Sequence, residues 1–105
     1  MLLLNRVWPC FPCPVKLFEE AMYYTYVLKS IKDNLLYVGF SKDLKQRLEL
    51  HERGAVESTR ERRPFKLIYY EACIDKNDAI RREKYLKSYH GKMFLKKRLK
   101  SYLTG

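Results

Sequence analysis

The sequence predicts an α/β domain of the α+β type, a small single domain of short strands and helices. Three observations predict it: two runs of strand character hinged on turn residues, a third aromatic and β-branched run after a polar loop, and capped helical stretches between and behind them.

Tyr23 to Lys29 alternates, with Tyr24, Tyr26 and Leu28 on one face and Thr25, Val27 and Lys29 on the other, which is the period of a strand. Lys32-Asp33-Asn34 supplies turn chemistry, and residues 35–40 form a second aromatic and β-branched run, so the pair reads as an antiparallel hairpin. Gly39 inside that run points to a close backbone approach or a kink. Ser41 offers an N-cap, Asp43 suits the positive end of a helix and Gly54 offers a stop, which places a helix over 42–53. Residues 55–64 read as a polar loop carrying Arg60, Arg62 and Arg63, and residues 65–73 as a third strand. Asp75 caps a second helix running to about Tyr89, and after Gly91 residues 93–103 read as a last, Lys-rich helix.

The first 21 residues differ from the rest: they hold Pro9, Pro12 and Pro14, Cys10 and Cys13, and the only tryptophan, Trp8. They read as an N-terminal extension, with Met22 opening a domain that spans 22–103. Cys10 and Cys13 have C-x-x-C spacing but no second pair to complete a zinc site, and Cys73 is alone, so reduced cysteines in a cytoplasmic protein are expected.

Lys plus Arg number 22 against 12 Asp plus Glu, a formal charge of +10. Arg6 and Lys16 cancel Glu19 and Glu20, so the whole excess lies beyond residue 21. Such a field attracts polyanions, and neutralising phosphates releases counterions. No run approaches the roughly 20 apolar residues a membrane-spanning helix needs. Nucleic acid is therefore the expected partner, and a membrane is not.

Chemistry enters through residues whose helical phase conflicts with ordinary packing. On the second helix Ala79, Ile80 and Leu86 lie within about 60° of Glu83, which puts a carboxylate in the core-facing stripe. A charge there is expensive unless paired or bound to metal; a metal ligand and a buried Glu satisfied by a tyrosine hydroxyl or an arginine both fit. On the preceding helix Arg47 and His51 are i, i+4 neighbours and point to one spot. Tyr26 and Tyr37 fall on the two hairpin strands. Snorkelling of Arg47, a packed helix-end His51 and core tyrosines each explain one of these residues; the joint occurrence of Tyr26 and Tyr37 with Arg47 and Glu83 favours a shared site over them.

Five stretches carry a resemblance: Tyr24-Thr25-Tyr26-Val27-Leu28, Leu36-Tyr37-Val38-Gly39, Asp43 to His51, Arg63 to Tyr69, and Ala79-Ile80-Arg81-Arg82-Glu83-Lys84. In order and spacing this set resembles the GIY-YIG nucleases, especially the small stand-alone bacterial members, over residues 22–90. Tyr24 and Thr25 stand where the first motif has Gly and Ile, Val38 replaces the second Ile, and Glu52 follows the histidine where small members tend to have Asn.

The resemblance implies a three-stranded antiparallel sheet flanked by helices and a metal-dependent endonuclease acting on nucleic acid, DNA before RNA, in repair or recombination. Carried over by position, Glu83 would hold Mg²⁺ or Mn²⁺, Tyr26 would take a proton from water directly or through His51, Arg47 would neutralise the phosphate, and Tyr37 would orient water or phosphate. Arg60, Arg62 and Arg63 of the loop, and Lys92, Lys96, Lys97, Arg98 and Lys100 of the last helix, are the candidate backbone contacts. The alternative is a non-catalytic nucleic-acid-binding module that keeps the fold and relies on a protein partner for targeting.

Overall fold

The structure, a computed structural model, describes residues 21–105. The extension expected over 1–21, with its Cys10 and Cys13, falls outside these residues but for Ala21. Strands β1 (Tyr23–Ser30), β2 (Leu36–Ser41) and β3 (Phe65–Cys73) form one antiparallel sheet in the order β2-β1-β3. Helix α1 (Leu44–Arg53) follows β2; α2 (Lys76–Lys87), α3 (Tyr89–Arg98) and the short α4 (Lys100–Thr104) follow β3. This is the three-stranded antiparallel sheet with flanking helices that the sequence predicts.

Because β1 is the central strand, both of its alternating faces are covered, and Thr25, Tyr26, Val27 and Leu28 are all buried. Val27 packs with Val38, Leu86 and Leu95, which places α2 and α3 against that face. The Thr25 hydroxyl donates to the Ala79 carbonyl at 2.9 Å and fixes the start of α2 to the sheet. A bulge in β3 opposite Val27 and Leu28 leaves Ile68 without a partner in the register. Ile68 and Tyr69 therefore both pack on this core, which strict alternation would forbid. The other face, with Tyr26, Leu28 and Tyr37, meets α1 and the 55–64 loop through His51.

Three boundaries differ from the sequence expectation. Ser41 does not cap α1: it still pairs with Tyr24 in the sheet, and its hydroxyl accepts from the Asp43 amide at 3.0 Å. Asp43 is the cap, accepting from the Gln46 amide, so the helix begins at Leu44. Helix α2 stops at Lys87, because Ser88 both ends it and caps α3 by accepting from the Gly91 amide. Gly91 consequently lies inside the first turn of α3, where a Cβ would collide with the Tyr85 carbonyl oxygen. The glycine is a packing requirement between α2 and α3 rather than a helix boundary, and the last helix breaks instead at Leu99.

Candidate functional site

Tyr26 lies at the middle of β1, directly across from Gly39 of β2. A Cβ at Gly39 would collide with both Cζ and Oη of Tyr26, so the ring occupies the space that any other residue at 39 would fill. The close approach foreseen at Gly39 is thus made by a phenol. That phenol is fully buried. Its oxygen lies 2.8 Å from Nε2 of His51 and accepts from Nε of Arg47 at 3.4 Å. The i, i+4 spacing on α1 delivers both partners to one hydroxyl.

His51 is the most enclosed ionisable group of α1, at 1% exposure. Tyr26, Tyr37 and Phe65 surround its ring in edge-on contacts, with centroids 5.7, 5.2 and 6.2 Å away. Its Nδ1 lies 2.8 Å from the hydroxyl of Thr59, which is itself fully buried. Burial, and then the nearby Arg47 cation, push the imidazole down from 6.5 to about 4, so it is neutral at neutral pH. Burial pushes the Tyr26 phenol up; the Arg47 hydrogen bond works against this, while Tyr37 and Glu83 add to it. The bond to Tyr26 in turn holds the Arg47 guanidinium above its ordinary value. The resting arrangement is a protonated phenol between a fixed cation and a neutral imidazole.

Tyr37 is half-buried on β2, with its ring 6.4 Å from that of Tyr26. Glu83 comes from α2, between buried Ala79 and Leu86, yet its side chain is 21% exposed and pairs with Lys87 at 3.2 Å, one turn further on. It is therefore at the rim of the core stripe, not its centre, and among the described residues neither a tyrosine hydroxyl nor an arginine satisfies it. Its neighbour Arg82 is held elsewhere, by Glu71, through contacts of 2.9 to 3.1 Å. Among the described residues no group of three or more His, Cys, Asp or Glu could hold a metal ion.

The loop arginines are tied to the scaffold. Nε of Arg60 donates to the Gly54 carbonyl at 3.0 Å, and Nε of Arg63 to the Arg60 carbonyl at 2.9 Å. Arg62 is half-buried, 3.4 Å from the Asp33 carboxylate and over the Phe65 ring. Arg60 and Arg63 are exposed, as are Lys92, Lys96 and Lys97 on α3, whose inner face carries Gly91 and Leu95. Thr59 was not legible in the sequence. It sits in an aperiodic polar loop, where a buried threonine has no pattern to betray it.

The family model of the GIY-YIG catalytic domain matches residues 22–98, from the start of β1 to the end of α3. A UPF0213 protein of Staphylococcus aureus is 38% identical over 68 residues, covering 64% of this chain and 82% of that protein. One from Staphylococcus haemolyticus is 36% identical over 77 residues, covering 72% of this chain and 93% of its own length. The solution NMR structure of a UPF0213 protein from Bacillus halodurans is 34% identical, covers 70% of this chain and 81% of its own, and has a TM-score of 0.45. The described sheet and helices, the ordered motifs and this match across most of the chain lead to one conclusion: the chain belongs to the GIY-YIG family and carries its nuclease fold.

Proposed function

We infer that the protein is a metal-dependent endonuclease that hydrolyses phosphodiester bonds of nucleic acid, DNA before RNA. The observation that carries this reading is the Tyr26 hydroxyl, buried and held between Arg47 and His51. A structural core tyrosine needs one hydrogen-bond partner; a phenol poised between a cation and a neutral base can pass a proton.

The Tyr26 oxygen is sealed in the resting arrangement, so the reaction requires the side chains over it to part when substrate binds. The attacking water then gives a proton to the Tyr26 oxygen while the Tyr26 proton passes to Nε2 of His51. The water oxygen bonds to phosphorus as the bond to the 3′-oxygen breaks, leaving a 5′-phosphate and, once that oxygen is protonated, a 3′-hydroxyl. A lone imidazole near 4 is a weak acceptor. Burial is the larger cause of that depression and Arg47 the smaller; a bound phosphate offsets the Arg47 part and so raises the basicity of His51 when substrate is present. Arg47, held by Tyr26 and also in contact with Tyr37, offers its guanidinium to the phosphate oxygens with a bidentate geometry that a lysine lacks. Tyr37, beside Tyr26 and His51, orients the water or the phosphate.

The residues fit a divalent cation of the Mg²⁺ or Mn²⁺ kind. Glu83 is a part-exposed carboxylate whose partner is a surface lysine, and Mg²⁺ commonly rests on one or two carboxylates, retained waters and substrate phosphate. When bound, such an ion supplies Lewis-acid stabilisation of the phosphate and of the leaving oxygen. Arg60 and Arg63 beside the site, and Lys92, Lys96 and Lys97 on α3, supply contacts to the backbone of the nucleic acid.

The test is a cleavage assay on labelled duplex, branched and single-stranded DNA and RNA with Mg²⁺ and Mn²⁺, comparing wild type with Tyr26→Phe. Wild type is expected to cut at least one substrate and Tyr26→Phe to be at least about 100-fold slower. If wild type cuts nothing but binds these nucleic acids, the binding-module reading replaces the enzyme.

A further inference from the structure

We propose that Thr59 is a positioning residue of this reaction: its hydroxyl holds His51 as the Nδ1–H tautomer and leaves the Nε2 lone pair facing the Tyr26 proton. The inference rests on the nuclease reading for its catalytic consequence, but its structural content stands on hydrogen-bond geometry alone.

A neutral imidazole has one N–H and one lone pair. Both nitrogens of His51 lie 2.8 Å from a hydroxyl, and hydroxyls can donate or accept, so the inner contacts do not settle the tautomer. The outer partners do. Thr59 Oγ1 makes a long contact of 3.4 Å to the Val56 carbonyl, and a carbonyl can only accept, so any bond there is donated by the hydroxyl. With its proton committed there, Oγ1 accepts from Nδ1–H. At the other end Nε of Arg47 can only donate, so the Tyr26 oxygen accepts from it and sends its own proton to Nε2.

The two ends favour the same direction. The chain runs Arg47 Nε–H to Tyr26 Oη–H to His51 Nε2, and His51 Nδ1–H to Thr59 Oγ1–H to the Val56 carbonyl. In the opposite tautomer Thr59 would turn its proton away from that carbonyl. The Tyr26 oxygen would then accept twice, leaving its own buried proton with no partner in the chain. The arrangement with two short bonds at 2.8 Å and two long ones at 3.4 Å leaves each hydroxyl proton an acceptor, which favours it over the alternative.

The backbone prevents Thr59 from giving way. Its amide donates to the Val56 carbonyl at 3.1 Å and its carbonyl accepts from the Arg62 amide at 3.0 Å. Fixed in this turn, the hydroxyl is aimed at Nδ1 before any substrate arrives. When Nε2 takes the Tyr26 proton, Nδ1–H keeps the same acceptor, so the imidazolium forms without rearrangement.

The test combines a spectroscopic and a kinetic measurement on the full chain. Long-range ¹H–¹⁵N correlation spectra of the two histidines, His51 and His90, would be recorded at neutral pH, with His90→Gln to assign them. Wild type is expected to show His51 as the Nδ1–H form. Thr59→Val keeps the shape and removes the hydroxyl; His51 should then populate the Nε2–H form. Single-turnover cleavage with Mg²⁺ should slow by about 10- to 100-fold, by analogy with the loss of a partner that orients a metal-bound histidine, at unchanged DNA affinity. Thr59→Ser should restore both. A wild-type His51 in the Nε2–H form overturns the proposal, and this holds even if Thr59→Val does not fold. A folded Thr59→Val that keeps the Nδ1–H form and the wild-type rate also overturns it. A wild type that cuts nothing overturns the nuclease reading instead, and the wild-type spectrum still decides whether Thr59 sets the tautomer.

Discussion

Gly39 and Tyr26 share one space across the β1–β2 pair: the phenol fills the place where a Cβ at 39 would be. The ring cannot retreat, because Arg47 and His51 hold its oxygen from α1. Gly39→Ala should therefore displace Tyr26 and break both bonds. The expected cost is about 1–3 kcal/mol of stability, the range for overpacking, with cleavage falling at least as far as in Tyr26→Phe. Chemical denaturation and the cleavage assay together check this; an alanine variant of wild-type activity would show that the ring position is not needed.

His51 makes stability depend on pH in a defined window. Its folded value of about 4 lies below the ordinary 6.5, so between these values the unfolded chain binds a proton that the folded one does not. Stability is then full above about 6.5, falls as pH drops, and levels off below about 4, with a total on the order of 3 kcal/mol. Glu71 acts lower. Burial pushes its carboxyl up, but Arg82 and Tyr69 together hold it below its usual range, so its contribution is lost only as pH falls through that depressed value. Denaturation curves at several pH values should show the His51 slope in wild type and its loss in His51→Gln.

What the sequence made legible was local. Alternation, the Lys32-Asp33-Asn34 turn and the caps at Asp75 and Gly54 are decided within a few residues, and they placed the strands, the end of α1 and the start of α2. What it hid depends on contacts between distant elements. Ser41 and Asp43 are both good cap residues, and only the pairing of Ser41 with Tyr24 decides between them. Gly91 has the low helix propensity of a boundary, yet it sits in α3 because α2 leaves no room for a side chain. Helical phase put Glu83 beside Ala79 and Leu86 but could not say that the packing leaves it at the rim beside Lys87. Charge alone likewise could not separate Arg62, half-buried against Asp33 and Phe65, from exposed Arg60 and Arg63.

That separation predicts different behaviour among the basic residues. Lys92, Lys96 and Lys97 are exposed on α3, so Gln at all three should leave stability nearly unchanged. Nucleic-acid binding should weaken, and the dependence of log affinity on log salt should become shallower by about one unit for each phosphate that is no longer neutralised. Arg62→Gln should instead destabilise the fold, since it removes the partner of Asp33 and the cation over Phe65. Salt titrations of binding alongside thermal melts distinguish the two groups. A salt slope unaltered in the triple variant would remove α3 from the binding surface.

Glu83 separates enzyme from binding module. Its ion pair with Lys87 is a part-exposed i, i+4 contact, a kind worth only about 0–1 kcal/mol, so Glu83→Ala should melt close to wild type. The loop arginines and the α3 lysines are untouched, so binding to nucleic acid should survive. Removing a carboxylate near the phosphate site would by itself strengthen binding of a polyanion, and a modest gain in affinity is the expected sign. Metal-dependent cleavage should nevertheless disappear, and neither Mg²⁺ nor Mn²⁺ at raised concentration should restore it, because the described residues offer no cluster of other ligands. Tight binding without cleavage in the variant, against cleavage in wild type, makes Glu83 the residue through which the cation acts. Equal cleavage in both would place the cation elsewhere and leave Tyr26, Arg47 and His51 as the whole of the site.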